Sequence, residues 1–232
     1  MKSEKITSLS GGHEGKQRRS YDDACGAAHA LDLVGERWAL LVMRELFWGP
    51  KRFSDIRAGL PGISANVLTQ RLEGLEEAGI VTRRKLPPPA SMQVYELTEW
   101  GRESEPIFQA LGRWAVRSPK HDPSMPLSTS SFLLSLRTMI DAKRAKGLKA
   151  RIGLCLAEET FMAVLEGGEI TIKPGPLKKP DLTLTGEARM LAGAVYGGQL
   201  AALEAGGQIS VEGDKALAER FVTLFPLPAK AG

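Results

Sequence analysis

The sequence predicts an α+β protein with a helical N-terminal part and a C-terminal part built around a β-sheet. The first observation is that apolar residues recur at helical spacing up to about residue 117. The second is a break at residues 118–130, where three prolines and four serines interrupt the apolar period, as in a linker. The third is a series of short apolar runs after residue 150, separated by turn residues, which is typical of strands.

Composition narrows the class of protein. A chain of 232 residues that is 43% hydrophobic and 25% charged can form one large or two small globular domains. The net charge of +4 is too small to locate a nucleic-acid surface, so local clusters must do so. Two cysteines are too few for a disulfide framework or a metal site, and we expect no metal and no cofactor.

Targeting signals are missing from the sequence. No apolar run approaches the roughly 18 residues that a membrane span needs, and the N-terminus has no apolar stretch behind its first lysines. We therefore expect a cytoplasmic protein without a membrane span. Residues 1–20 are polar and are expected to form a flexible tail.

Two helices are predicted before residue 50. Asp22 and Asp23 precede the first, at 24–33, where acidic side chains suit the positive end of the helix dipole. The second, at 38–48, has apolar residues at helical spacing and is stopped by Gly49-Pro50.

Residues 53–98 are the most informative segment. They predict a short helix (53–58), a tight turn, a longer helix (64–78), and a hairpin with a basic stem and a proline tip. This order is that of a winged helix-turn-helix, in which the longer helix enters the major groove and the hairpin straddles the phosphates. The predicted fold is thus an N-terminal winged helix-turn-helix followed by an α+β domain.

The longer helix has one face for the core and one for DNA. Leu68, Leu72 and Leu75 face the core, which leaves polar side chains free for base edges. The predicted base-reading residues are Ala65, Asn66, Thr69 and Gln70. Residues predicted to contact phosphates are Ser64, which also suits an N-cap, and Lys51, Arg52, Arg71, Arg84 and Lys85. For Arg71, an ion pair with Glu76 or Glu45 is an equal alternative.

A further helix runs from Thr98 to about residue 116, with a kink expected at Pro106. Its apolar stripe extends beyond the compact unit and needs a partner. A second copy of the same helix is the simplest partner, which gives a two-fold dimer. The predicted dimerisation residues are Ile107, Leu111 and Trp114.

The C-terminal part begins with an amphipathic helix at 132–145. Strands are predicted at 151–157, 160–165, 169–173, 181–185 and 208–211, and helices at 187–195, 200–205 and 215–224. Together they predict helices on one side of a mostly antiparallel sheet.

Residues 21–117 resemble the HxlR family, a branch of the MarR-like winged-helix regulators. The matching residues include Cys25, the run 31–38, the run 41–46, the run 49–53 and the run 95–98. The resemblance implies a homodimeric transcriptional regulator that binds double-stranded DNA. The chain departs from the family in having Gly26 where proline usually follows the cysteine, and in its proline-rich wing tip. Cys25 is either a small buried residue or, as in some relatives, a redox-active thiol.

Residues 131–228 are similar to the sterol carrier protein type 2 fold, a lipid-binding module with an apolar tunnel. The element order and the run 180–185 carry this resemblance. It implies a hydrophobic small molecule or lipid as a ligand, although a closed core is the alternative for each apolar residue. The candidate cavity residues are Phe132, Leu136, Phe161, Met162, Met190, Val195, Tyr196 and Phe221.

These inferences favour a dimeric, sequence-specific DNA-binding regulator that responds to an apolar ligand. One alternative is a regulator whose C-terminal domain is purely structural. Another is a lipid carrier that uses the winged helix only for assembly. An enzyme is not expected, because the sequence has no nucleophile beside a base, no metal-ligand spacing and no glycine-rich phosphate loop.

Overall fold

The computed structural model describes residues 20–232, so the tail expected at 1–20 lies, except for Ser20, outside the described residues. Two compact units divide at Glu36. The first contains helix α1 (Gly26–Val34). The segment before α1 folds back on it, because the Asp32 carboxylate accepts a hydrogen bond from the backbone N–H of Tyr21 at 3.1 Å.

The second unit, Arg37–Gly232, begins with the predicted helix-turn-helix. It consists of α2 (Ala39–Leu46), α3 (Phe53–Ala58) and α4 (Ala65–Glu77). Ser64 caps α4 by accepting a hydrogen bond from the backbone N–H of Val67 at 3.2 Å. The three leucines of α4 are buried as predicted, which fixes the rotation of the helix about its axis.

The hairpin is antiparallel and follows α4 directly. Strand β1 (Val81–Lys85) pairs with β2 (Gln93–Leu97), and Arg84 lies opposite Val94. Lys51 adds a bridge to the outer side of β2, exchanging two backbone hydrogen bonds with Tyr95 at 2.8 and 3.0 Å. This bridge ties the segment between α2 and α3 to the wing.

The helix predicted after Thr98 is divided in two. Thr98 caps α5 (Glu99–Glu103), and α6 (Glu105–Ala115) follows after Ser104. Pro106 stands in the first turn of α6, where its missing N–H costs nothing, and the helix is interrupted at Ser104, two residues before it. The predicted interruption is therefore confirmed, and the kink stays a prediction.

The C-terminal region has helices α7 (Thr129–Met139), α8 (Ala188–Gly197), α9 (Leu200–Ala205) and α10 (Lys215–Val222). Its strands are β3 (Ala150–Leu156), β4 (Glu159–Glu166), β5 (Glu169–Pro174), β6 (Leu182–Gly186) and β7 (Ile209–Gly213). Their order is β5-β4-β3-β6-β7, with only the pair β3 and β6 parallel among these strands. The expected mostly antiparallel sheet is confirmed.

Helix α7 starts and ends earlier than predicted. It begins at Thr129 because Ser128 accepts a hydrogen bond from the backbone N–H of Ser131 at 3.1 Å. It ends at Met139 because the chain turns so that the backbone N–H of Asp141 bonds to the carbonyl of Leu224 at 2.9 Å. The segment expected to be a helix through 145 is instead a series of turns.

Helix α7 is buried on several faces and contacts both halves of the second unit. The guanidinium of Arg137 on α7 pairs with Glu105 on α6 at 3.0 Å. Arg113 on α6 donates to the carbonyl oxygen of Thr138. Trp48, which follows α2, donates its indole N–H to the carbonyl of Ser130 at 3.2 Å. The helix-turn-helix and the sheet region are thus joined through α7.

A buried carboxylate lies at this junction. The side chain of Glu45 on α2 is 1% exposed. It accepts hydrogen bonds from the guanidinium of Arg44 at 2.9 Å, the ammonium of Lys51 at 3.3 Å and the hydroxyl of Ser128 at 2.7 Å. The Lys51 ammonium also donates to the hydroxyl of Ser130 at 3.1 Å. We call these residues the Glu45 cluster.

We expect Glu45→Ala to lower the free energy of unfolding by about 3–5 kcal/mol, because the half-buried Lys51 ammonium would lose its carboxylate partner. Urea denaturation of the variant and of the control Glu219→Ala, an exposed position on α10, measures the difference. The double variant Glu45→Ala, Lys51→Ala should lose less than the sum of the single losses. Equal effects of Glu45→Ala and the control would contradict a stabilising role for the cluster.

Candidate nucleic-acid interface and effector cavity

The face of α4 opposite its buried leucines is polar and accessible. Asn66, Thr69 and Gln70 are exposed, and Ala65 is half-buried. The amides and the hydroxyl offer both donors and acceptors, as base edges in the major groove require. Ser64 is exposed at the N-terminal end of the same helix.

The basic stem of the wing is exposed but partly neutralised. Arg84 on β1 forms a two-pronged contact with Glu96 on β2, with nitrogen–oxygen distances of 2.7 and 3.2 Å. Arg83 approaches the carboxylate of Glu76 on α4 at 3.8 Å. Lys85 is exposed at the end of β1. Glu96 therefore occupies Nε and one Nη of the Arg84 guanidinium, and the other nitrogen remains to contact a phosphate.

The remaining predicted phosphate contacts differ in accessibility. Arg52 is exposed before α3, and Arg71 is half-buried on α4. The prediction for Lys51 needs correction. Its side chain is only 15% exposed and its ammonium points into the Glu45 cluster. The buried carboxylate needs a cation nearby, and Lys51 supplies it.

Helix α6 presents its predicted apolar stripe to solvent. Ile107, Leu111 and Trp114 are 56, 42 and 75% exposed, whereas Phe108 on the other side is buried. Phe108 packs edge-to-face on Phe47 with ring centroids 4.9 Å apart. Exposed apolar surface of this kind is typical of a protein interface. Trp100 on α5 is also 51% exposed, and sequence reasoning did not select it.

A cavity of about 730 Å³ lies among α7, α8, α9 and the segment 121–127. Val116 at the end of α6 and Leu227 beyond α10 complete the wall. Most of the wall is apolar, and Met125 and Leu227 remain 62 and 47% exposed. A volume in the range of roughly 300–1,000 Å³ with mainly apolar walls is typical of small-molecule sites. The segment predicted to be a linker therefore contributes to a candidate site.

Only some of the residues predicted to line a cavity lie in the wall of this one. Met190 and Tyr196 line the cavity, and Val195 borders a second cavity of about 260 Å³ beside the end of α10. Met162 on β4 is half-buried and outside both walls. Four further residues are buried in the closed core and line neither cavity, which corrects their assignment: Phe132, Leu136, Phe161 and Phe221. Their aromatic and aliphatic side chains fill the space between helices and sheet.

Tyr196 and Ser135 form the protected polar part of the cavity wall. The Tyr196 hydroxyl donates to the hydroxyl of Ser135 at 2.7 Å, and Ser135 donates to the carbonyl of Phe132 at 2.7 Å. Burial raises the pKa of Tyr196, because the phenolate would lose its hydration. Tyr196 is therefore neutral at physiological pH.

Cys25 precedes α1 and is exposed, so it is not the buried residue that was one of the two sequence-based alternatives. The backbone N–H groups of Ala28 and Ala27 lower the pKa of its thiol. This agrees with the general effect of helix N-termini on thiols.

The described residues contain neither a metal-ligand cluster nor a membrane-spanning helix. Among residues 20–232, no group of three or more His, Cys, Asp or Glu side chains could hold a metal ion. No helix in that range is long and apolar enough to cross a membrane.

The exposed polar helix beside a basic hairpin defines a winged-helix DNA-binding regulator of transcription. The HxlR-like helix-turn-helix family matches residues 33–122. The chain belongs to this family, because it is 38% identical over 87 residues to the uncharacterised HTH-type transcriptional regulator YvaP of Bacillus subtilis, covering 81% of that protein and 38% of this chain. It is also 41% identical over 86 residues to the HTH-type transcriptional regulator YodB of the same organism, covering 77% of YodB and 37% of this chain.

The C-terminal region matches another family. Residues 119–231 match the alkyl sulfatase C-terminal family. Among solved structures, reduced YodB from B. subtilis is similar to this chain with 36% sequence identity and a TM-score of 0.39. The match covers 43% of this chain and 100% of the YodB chain. The sec-alkylsulfatase Pisa1 from Pseudomonas sp. is 21% identical, with a TM-score of 0.35. This match covers 42% of this chain and 16% of the Pisa1 chain. The sterol-carrier-like fold stays a prediction.

We expect the Cys25 thiol to react with iodoacetamide at a lower pH than free cysteine does, because its lowered pKa supplies thiolate earlier as pH rises. Mass spectrometry of the alkylated protein between pH 6 and 10 gives the midpoint for each cysteine. The Cys25→Ser variant, which retains only the half-buried Cys155, provides the control. A Cys25 midpoint equal to that of an unstructured cysteine peptide would contradict this expectation.

Proposed function

We propose that this protein is a homodimeric, sequence-specific regulator that reads double-stranded DNA with α4 and holds an apolar ligand in its C-terminal domain. The carrying observation is the accessible row of Asn66, Thr69 and Gln70 beside the basic wing. The N-cap at Ser64 and the buried leucines fix the direction in which this row points. The operator is the DNA sequence whose base edges best complement the hydrogen-bond donors and acceptors of these three side chains.

The proposed roles divide by chemistry. Asn66, Thr69 and Gln70 read base edges, and Ala65 is small enough to permit close approach or contact with a thymine methyl group. Ser64, Arg52, Arg71, Arg84 and Lys85 contact phosphates, which position the helix but carry no sequence information. Lys51 acts indirectly, because its backbone holds β2 and its ammonium holds Glu45.

We expect Gln70→Ala and Arg84→Ala to weaken DNA binding in different ways. Loss of a base contact should cost about 1–3 kcal/mol on the operator and much less on mismatched DNA. Loss of the Arg84 phosphate contact should weaken both alike and reduce the salt slope of binding by about one unit. Fluorescence anisotropy on an operator selected from a random duplex library measures both quantities.

Glu96→Gln is the matched control for Arg84. It removes the carboxylate that holds the guanidinium, so binding to all DNA should strengthen. Failure to enrich any sequence from the library would contradict sequence-specific binding. A sequence-selective loss in Arg84→Ala would contradict its phosphate role.

The dimer proposal rests on the exposed stripe of α6. A two-fold contact between two such helices would bury Ile107, Leu111 and Trp114 from each copy and set the separation of the two α4 helices. Half-sites about one DNA turn apart, on the order of 34–36 Å, are the usual requirement.

We expect the double variant Leu111→Glu, Trp114→Glu to be monomeric, because apposed carboxylates would repel in an apolar contact. Light scattering after size exclusion gives the mass, and DNA affinity should fall with it. Lys146→Glu, at an exposed turn position outside the stripe, controls for added negative charge. A variant that keeps the mass of two chains would place the dimer contact elsewhere.

The apolar-ligand part of the proposal is supported by the cavity beside α7. Its wall includes Met139 of α7 and Val116, the residue that follows α6, so an occupant would touch α7 and the end of α6. The sterol-carrier-like reading of this domain belongs to the same proposal. The alternative hypothesis is that the C-terminal domain is purely structural. It predicts that fatty acids, alcohols and sterols leave the melting temperature and the DNA affinity of the protein unchanged. The lipid-carrier rival predicts ligand binding without any DNA binding.

A further inference from the structure

The cavity has few polar groups that are shielded from water. His121, Asp122, Arg189 and Gln199 belong to its wall but are exposed. The Asp122 carboxylate is already engaged by the backbone N–H and the hydroxyl of Ser124, at 2.8 and 2.7 Å. Water can satisfy these exposed groups whether or not a ligand is present. Selectivity for a ligand's polar group must therefore come from the half-buried pair Tyr196 and Ser135.

The hydrogen-bond direction in this pair is determined. Ser135 has one hydroxyl proton, and it goes to the carbonyl of Phe132, which can only accept. Tyr196 must then donate its own proton to Ser135. What remains on the Tyr196 oxygen is acceptor capacity, and no proton remains to offer.

We infer that the cavity selects a hydrophobic alcohol, whose apolar body contacts the methionine and leucine walls and whose hydroxyl donates a hydrogen bond to the Tyr196 oxygen. This rests on the proposed function, in which the cavity holds an apolar ligand. An ether of the same shape has no proton to donate. A carboxylate would direct its lone pairs and charge at the lone pairs of the phenol, which is repulsive.

The size and composition of the cavity agree with this ligand class. Met139, Met190, Ala192 and Leu203 provide apolar contact, and about 730 Å³ leaves room for a chain of eight or more carbons. The exposed apolar surface of Met125 and Leu227 would be covered by the ligand's body. Burial of that surface, and not the hydroxyl, would supply most of the affinity.

The test compares three eight-carbon probes: octan-1-ol, 1-methoxyoctane and octanoate. Titrations of protein with ¹³C-methyl-labelled methionine give dissociation constants from shifts at Met139 and Met190, whose signals are assigned with Leu substitutions. Octan-1-ol should bind about fivefold more tightly than the ether, the worth of one hydrogen bond. Octanoate should bind more weakly than octan-1-ol.

Tyr196→Phe should reduce octan-1-ol to the affinity of 1-methoxyoctane while leaving the ether unchanged within about twofold, since the phenol oxygen is lost and the hydrogen bond it donated to Ser135 does not involve the ether. Tyr21→Phe, an exposed tyrosine outside the cavity wall, should preserve the preference. Unaltered methionine spectra of each unliganded variant verify the fold.

The outcomes separate the two proposals. If the alcohol and the ether bind equally, or octanoate binds best, the selection of an alcohol is overturned while an apolar site remains. If a preference for the alcohol survives in Tyr196→Phe, Tyr196 is not its acceptor and the inference fails. If none of the probes shifts either methionine, the apolar-ligand function itself is contradicted. DNA binding is measured separately and is unaffected by any of these results.

Discussion

The structure depends on one buried charge. Glu45 has lost almost all contact with water, and a carboxylate in that position is stable only while cations and donors surround it. Its partners come from three segments: Arg44 from α2, Lys51 from the strand-like stretch before α3, and Ser128 from the N-cap of α7. Separating α7 from the helix-turn-helix would expose the Glu45 carboxylate to water or leave it without the hydroxyl of Ser128. The second unit is therefore held together by a polar contact as well as by apolar packing.

This junction makes α7 common to both proposed activities. At its N-terminal end, Ser128 and Ser130 contact the Glu45 cluster, and Trp48 bonds to the backbone. Farther along, Ser135 and Met139 belong to the cavity wall. A rigid helix of 11 residues is about 16 Å long, so the two contacts are only a few turns apart. Any displacement of α7 by a cavity occupant would act on the Lys51 bridge, and through its backbone on the wing strand β2.

Sequence reasoning succeeded where local spacing decides the structure and failed where distant residues do. The helix α4, its cap at Ser64 and the exposed stripe of α6 follow from periodicity over a few turns. The strands of the C-terminal sheet were placed within one or two residues. Lys51 was misassigned because its ammonium is held by Glu45 and by Ser130 on α7, which lies 79 positions away in the sequence. The early end of α7 depends on a contact between Asp141 and Leu224, which no local pattern encodes. The cavity was predicted only in part, through Met190 and Tyr196, because a proline-rich stretch with no apolar period forms another of its walls.

The C-terminal residues connect the cavity to the proposed dimer helix by a second route. The backbone N–H of Ala231 bonds to the carbonyl of Arg117 at 2.7 Å, and the Arg117 guanidinium donates to the carbonyl of Ala229 at 3.1 Å. Lys230 adds a bond to the carbonyl of Val116 at 3.0 Å. These contacts fix the end of α6 two to three residues beyond Trp114, the most exposed residue of its stripe. Val116 also belongs to the cavity wall. If α6 forms the dimer contact, the ligand site and the two-fold interface would therefore meet at the last turn of this helix. In such a dimer, a shift of that turn would change the distance between the two α4 helices, because α6 follows the wing closely. Strand β2 ends at Leu97, and α6 begins at Glu105 after the short helix α5.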